Sequence, residues 1–192
     1  MQTSNQSTRL SQLWDSVCQG SENCYATFHY HLYPGLISYA RGLVSYEEVA
    51  EDLVQDLFVK MWVKKEQIGR IENVKGYMYR AIRSICFNHL KSAKKKQTPI
   101  DPLDEDFQIS YEDMLAQDET QTFRKQQIER ALNGLPARQR EILYLRFFEK
   151  LEYEQIVEVT GVKYQSVVNH VYRATQCLRN QLRNSSTLVT VA

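Results

Sequence analysis

Between Lys64 and Lys96 lie ten basic side chains and only two acidic ones, Glu66 and Glu72. Such a run attracts a phosphate-bearing partner and holds it, without by itself specifying bases. Arg80, Arg83, Lys91 and Lys94 succeed one another at offsets of three, eight and three, which sets them on a broadly common outer face of a helix. Aromatic residues are interleaved with them. Tyr77 falls on the predicted inner face, while Tyr79 and Phe87 are the better candidates for stacking on unpaired bases. The Lys94-Lys95-Lys96 cluster alone reads equally well as a solubilising helix end.

Just upstream the sign reverses. Glu47, Glu48, Glu51, Asp52 and Asp56 crowd the beginning of a segment whose Val49, Leu53, Val54, Leu57, Phe58, Met61 and Trp62 recur at helical spacing. A helix of this kind packs its apolar stripe inward and offers carboxylates to a positively charged protein partner. It is poorly suited to phosphate. The plain alternative is a solvated acidic helix whose charges complement its positive end.

Chemistry of other kinds finds no support. Cys18, Cys24, Cys86 and Cys177 contain no C-x-x-C pair, and His29, His31, His89 and His170 form no metal-ligand spacing. With no nucleotide-binding loop and no coherent nucleophilic set, the expectation is a non-enzyme with no metal and no cofactor. The formal net charge of +1 hides strongly segregated charges. No run is long and apolar enough to cross a bilayer, and Met1 to Arg9 is polar, so a cytoplasmic location is expected.

The elements that must position these residues are predicted to be helices throughout. A short helix is expected over Leu10 to Val17, and a longer one over Glu22 to Leu43, bent or interrupted at Pro34-Gly35. The acidic helix starts near Ser45, an irregular turn covers Lys64 to Asn73, and the basic helix runs from about Val74 to Lys94. Gln97 to Glu119 holds two prolines and an acidic run, the composition of a flexible connector. Four more helices follow: Gln121 to Leu132, Arg138 to Phe147, Tyr153 to Val159 and about Tyr164 to Leu182. Gly161 marks a tight turn between the last two, a plausible helix-turn-helix. By pattern alone this block fits DNA binding or an ordinary helical interaction domain.

The combined pattern resembles the extracytoplasmic-function sigma factors of the sigma-70 family. Glu51-Asp52-Leu53-Val54-Gln55-Asp56-Leu57-Phe58-Val59-Lys60-Met61-Trp62 is similar to that family's core-polymerase-binding segment. Gly76-Tyr77-Met78-Tyr79-Arg80-Ala81-Ile82-Arg83, continuing through Asn88-His89-Leu90-Lys91, resembles the promoter-melting helix. Leu135-Pro136-Ala137-Arg138-Gln139-Arg140-Glu141-Ile142, then Tyr153-Glu154-Gln155-Ile156-Val157, Gly161-Val162 and Ser166 to Ala174, resembles the domain that reads the upstream promoter element. The likeness spans about residues 10 to 183, and its joint order is more specific than any one piece.

The resemblance implies an all-α protein with two small helical domains joined by an acidic flexible linker, the second containing the helix-turn-helix. Residues 10–96 would bind core polymerase and read and melt the minus-10 element, 97–120 would be linker, 121–183 would read the minus-35 element, and 184–192 would be tail. The implied partners are bacterial core RNA polymerase, promoter DNA and an anti-sigma factor. Asp52, Gln55, Asp56 and Phe58 become the polymerase-facing candidates, with Leu53, Leu57 and Trp62 packed beneath them. Arg70, Asn73, Tyr79, Arg80, Arg83, Asn88 and Lys91 become the minus-10 candidates. The minus-35 face falls on Gln165, Ser166, Asn169, His170 and Arg173, with Lys163 positioning phosphate and Val167, Val168, Val171, Ala174 and Leu178 packed inward.

Three residues depart from the family pattern. Ser84 stands where Asn is frequent, Val157 where a small residue is, and Lys163 where a capping Ser is common. Two other readings compete: a DNA-binding repressor or response protein using only the last helices, and a helical scaffold whose charge patches serve protein partners. The first leaves the acidic helix unexplained.

Overall fold

The computed structural model describes residues 2–44, 46–94, 107–109 and 122–189. Among them every regular element is a helix: α1 (Gln2–Cys18), α2 (Glu22–Leu43), α3 (Glu47–Val63), α4 (Lys65–Ile68), α5 (Val74–Lys94), α6 (Thr122–Asn133), α7 (Ala137–Phe147), α8 (Tyr153–Thr160) and α9 (Tyr164–Val189). Helices α1 to α5 pack into one helical unit and α6 to α9 into a second, with α5 lying against α8 across the seam.

The first unit closes around aromatic and branched side chains. Trp14, Phe28, Leu36, Val54, Met78 and Ile82 are all fully buried. Trp14 also fixes the loop before α5: its indole N–H donates to the Gly69 carbonyl at 2.8 Å. Ser11 Oγ reaches the Glu72 carbonyl at 2.9 Å, so α1 braces both ends of that loop. Gly69 sits at φ 63, ψ −150, a region closed to side chains by steric contact with the backbone. At the loop's end Asn73 supplies the start signal of α5 that the flanking sequence lacks, its Oδ1 accepting from the Gly76 N–H at 3.0 Å.

Helix α2 runs unbroken through Pro34, contrary to the expected bend or interruption. The carbonyl deprived of its partner belongs to Tyr30, which is 75% exposed, and Pro34 itself faces solvent. Water can therefore satisfy the lost bond. The irregular turn over Lys64 to Asn73 contains the short helix α4. The start signal proposed at Ser45 lies outside the described residues, and so does the connector apart from 107–109. Those three residues correct the picture of a bare tether, since Phe107 and Ile109 are buried in the seam.

In the second unit Ile142, Leu145, Ile156, Val167 and Ala174 form the centre of the core. Helix α8 begins with the Glu152 N–H donating to Gln155 Oε1 at 2.8 Å and ends at Gly161 in the left-handed conformation, φ 69. Only three residues then separate α8 from α9. Replacing the fully buried Trp14 with Ala removes both a core side chain and the loop brace. The change should cost about 3–5 kcal/mol in urea unfolding, and a loss below about 1 kcal/mol would contradict this role.

Candidate nucleic-acid and polymerase interfaces

Helix α3 separates its two faces cleanly. Ala50, Val54, Leu57, Phe58 and Met61 are buried, whereas Asp52, Gln55, Asp56, Val59 and Val63 share the exposed face. Phe58 is therefore misassigned as a partner-facing residue: it is 3% exposed, packed against Phe28, His29 and Tyr33. Its backbone carbonyl also accepts the Tyr25 hydroxyl at 2.7 Å. The apolar groups exposed on α3 are Val59 and Val63, at 60% and 70%. Their signal was present in the sequence, because both fall outside the apolar stripe. Trp62 is half-buried against Tyr25, with Lys65 Nζ 4.2 Å above its ring.

Helix α5 exposes a row made of Tyr77, Arg80, Ser84, Asn88 and Lys91. The aromatic assignments are interchanged relative to expectation. Tyr77 is 38% exposed, while Tyr79 is 1% exposed and so cannot stack on a base in this arrangement. The buried stripe of α5 runs through Val74, Met78, Ile82 and Cys86, and this register turns Tyr79 into the seam between the units. His89 is exposed as well. Arg70, Arg80, Asn88 and Lys91 are all exposed, as a phosphate or base contact requires.

Arg83 and Asn73 are instead engaged within the chain. Arg83 Nε donates to Glu141 Oε1 at 2.7 Å, and the guanidinium lies 4.3 Å over the Phe87 ring. Glu141 Oε1 also accepts the Tyr39 hydroxyl at 2.7 Å, and Oε2 takes Arg138 Nη1 at 3.1 Å. A second buried carboxylate, Glu149, accepts the Tyr79 hydroxyl and pairs with Lys75 Nζ at 3.3 Å. Asn73 Nδ2 donates to Glu158 at 3.0 Å, and Gln155 Nε2 returns a bond to Asn73 Oδ1 at 2.7 Å. Burial, and then the adjoining carboxylates Glu141 and Glu149, push the Tyr39 and Tyr79 hydroxyls well above their usual range. Both are thus donors at any physiological pH. Burial works against the Arg83 charge, but Glu141 overrides it and raises the guanidinium above its ordinary value. Lys75, Glu141, Glu149, Gln155 and Glu158 carried no sequence signal of this role, since each reads as an ordinary helix-surface or loop residue.

A cleft of about 520 Å³ opens between α5 and the end of α8. Arg80, Arg83, Phe87, Asn88 and Lys91 line one side, and Glu158 to Gly161 line the other.

Lys163, just before α9, and Gln165, Asn169 and Arg173 on it are exposed, Ser166 and His170 are half-buried, and Val167, Val171 and Ala174 are buried. Gln165 Nε2 and Asn169 Oδ1 are 3.5 Å apart. The inward residues hold this polar side away from the core, as the helical register requires. Arg138 steadies the turn before α9 by donating to the Thr160 carbonyl at 3.2 Å.

The described residues contain no set of His, Cys, Asp or Glu suited to a metal ion, and no described helix is long and apolar enough to cross a membrane. Residues 29–96 match the family model described as Sigma-70 region 2, and residues 125–178 match that described as Sigma-70, region 4. Together the two take in well over half of the chain, in the order in which α2 to α5 and α6 to α9 occur. The chain belongs to the sigma-70 family, as a sigma factor of the extracytoplasmic-function type: a transcription initiation factor and not an enzyme.

Among curated relatives, it is 29% identical over 143 residues to the RNA polymerase sigma factor SigV of Bacillus subtilis (strain 168), covering 74% of this chain and 81% of that one. It is 25% identical over 154 residues to YlaC of the same organism, covering 80% and 88%. The sigma factor RpoE of Bartonella quintana, solved in complex with the anti-sigma factor NepR, shares the fold with a TM-score of 0.61 at 22% identity, over 83% of this chain and 96% of that one. CnrH, solved with the cytosolic domain of CnrY, also gives a TM-score of 0.61, at 16% identity, over 92% and 98%.

Desolvation, followed by the charges of Arg138 and Arg173, lowers the His170 imidazole below its ordinary 6.5. A depressed folded-state value means that stability is complete above the unfolded value and falls as pH drops through the folded one. His170 should therefore titrate below 6.5 by proton NMR, and Arg173→Ala should move its midpoint upward. A midpoint at or above 6.5, or one unmoved by the substitution, contradicts the arrangement.

Proposed function

We propose that this sigma factor associates reversibly with bacterial core RNA polymerase, recognises minus-35 and minus-10 promoter elements, and assists DNA opening. The observation that carries this reading is the ordered division of charge: an exposed acidic face on α3, then an exposed basic row on α5, then a separate polar face on α9. Its support from the comparisons is family membership and the names of the relatives, which are RNA polymerase sigma factors.

In this reading 10–96 and 121–183 act as two domains, with 97–120 as linker. The α3 face contacts polymerase through Asp52, Gln55 and Asp56, and the neighbouring Val59 and Val63 contribute apolar contact at its centre. Arg70, Asn73, Arg80, Arg83, Asn88 and Lys91 hold the minus-10 strands. Melting is capture of an unstacked base and not covalent chemistry. Unstacking costs a few kcal/mol, offset by pocket contacts and by polymerase's own hold on DNA. Helices α8 and α9, with the Gly161 turn, act as a helix-turn-helix that presents Gln165, Ser166, Asn169, His170 and Arg173 to the upstream major groove, with Lys163 on phosphate. The RpoE structure, solved with the anti-sigma factor NepR, supports the same class of regulator here, and the site of action in this reading is the cytoplasm.

The test is reconstituted transcription from a promoter library with sigma-free core polymerase. Defined start sites that require this protein are expected, and failure to bind core or to direct initiation would overturn the reading. Asp56→Ala should weaken core binding by about 1 kcal/mol or more in a fluorescence titration, with unchanged folding. Equal affinity removes Asp56 from the interface. Arg173→Ala should weaken duplex binding by about 1–3 kcal/mol if it contacts a base, and by less, with a shallower salt dependence, if it contacts phosphate. No change over a salt series removes it from the contact.

A further inference from the structure

Three acidic side chains of the second unit converge on the polar groups of α5 and its leading loop. Glu141 takes Arg83 at 2.7 Å, Glu149 takes Lys75 at 3.3 Å, and Glu158 takes Asn73 at 3.0 Å. A carboxylate offers Arg and Lys the same anionic oxygens as a phosphate. Two of these acids are buried, with the hydroxyls of Tyr39 and Tyr79 as further donors, which fixes their orientation toward α5.

The segment 107–109 ties the same seam from the side. The Gln108 N–H donates to the Gly42 carbonyl of α2 at 2.9 Å. Toward the second unit, the Phe107 carbonyl accepts from Arg140 Nη1 at 2.7 Å, and Asn133 pairs with both the N–H and the carbonyl of Ile109 at 3.0 Å each. The Phe107 ring fills the space between Tyr39 and Tyr144, with centroids 5.5 and 5.3 Å away. Gly42 admits it: a Cβ there would stand 2.6 Å from the Phe107 ring and 2.8 Å from the Gln108 carbonyl oxygen.

We propose that the chain latches itself shut, the acids Glu141, Glu149 and Glu158 occupying the groups of α5 and its loop that nucleic-acid strands would use, while Phe107 to Ile109 clasp the two helical units together. The latch stands on these contacts, and the masking also rests on the reading of α5 as the strand-opening helix. In the closed state Arg80, Asn88 and Lys91 still reach solvent, but they line a cleft whose opposite wall carries Glu158. A strand entering there meets a like charge and finds Arg83 already paired. Binding then requires the second unit to move away, so the apparent affinity is the intrinsic one reduced by the open fraction.

Gly42→Ala is the discriminating variant. Ala is the better helix former and Gly42 has no positive φ, so α2 is not weakened while Phe107 and Gln108 are pushed out. Asn133→Ala removes the two bonds to Ile109 by an independent route. Small-angle scattering of the full chain without nucleic acid reads the latch. Both variants should show a radius of gyration larger than wild type by roughly a tenth or more, wild type lying nearer the compact value for its length. Fluorescence anisotropy with a labelled single-stranded oligodeoxynucleotide reads the masking, and Gly42→Ala should bind at least about threefold more tightly. Equal radii in all three proteins overturn the latch. Expanded variants with unchanged oligonucleotide affinity overturn the masking. Absence of oligonucleotide binding by all three, despite expansion, overturns the reading of α5 and the masking with it.

Discussion

A carboxylate removed from water must find cations or hydroxyls to replace its lost hydration, and two such groups sit where the helical units meet. Glu141 is 4% exposed and Glu149 8%. Each is held by donors from both sides: Arg83 and Tyr39 with Arg138 for the first, Lys75 and Tyr79 with Tyr144 for the second. Burying such charges costs several kcal/mol per ion before pairing. The arrangement is therefore stable only as a complete set, and it dictates what else can occupy the seam. Tyr39 and Tyr79 must turn toward it, Gly35 must lack a side chain where Tyr79 and Glu149 pass, and the basic helix must give up part of its charged surface.

That requirement divides the polar residues of α5 into two kinds. Arg80, Asn88 and Lys91 remain at the surface, whereas Arg83 is spent inside the chain. Exposed pairs such as Asp56 with Lys60, 4.0 Å apart, contribute little to stability. The buried pairs are of another order, because removing one member strands the other away from water. Charge on this protein thus does two jobs. At the surface it attracts partners, and in the seam it specifies which face of one unit meets which face of the other.

Much of the helical framework was legible because a helix repeats every 3.6 residues and an apolar stripe betrays that period. The extents of α3, α5, α7 and α8 follow from the sequence to within a residue or two. Pro34 misled, since its cost depends on whether the Tyr30 carbonyl it orphans can reach water, and that is a fact of exposure. Tyr79 misled for a related reason, whereas Phe58 stood in the apolar stripe and only the family resemblance turned it outward. Periodicity gives a residue's angle on its own helix, while the number of neighbouring elements decides how wide the buried arc becomes. On α5 a second unit claims Tyr79. The same logic hid Tyr77, whose exposure depends on nothing being packed there.

By itself the sequence determined the all-helical composition, the order of acidic and basic blocks, and the likeness to sigma factors. Each of these is a property of residues near one another along the chain. Tertiary structure alone decided which charges stay available, because pairings such as Tyr39 with Glu141, 102 residues apart, are invisible to any local pattern. It also decided that Phe107 and Ile109, in a stretch with the composition of a tether, become part of the core. Composition reports what a segment is able to bury on its own. The space left between two folded units reports what it does bury.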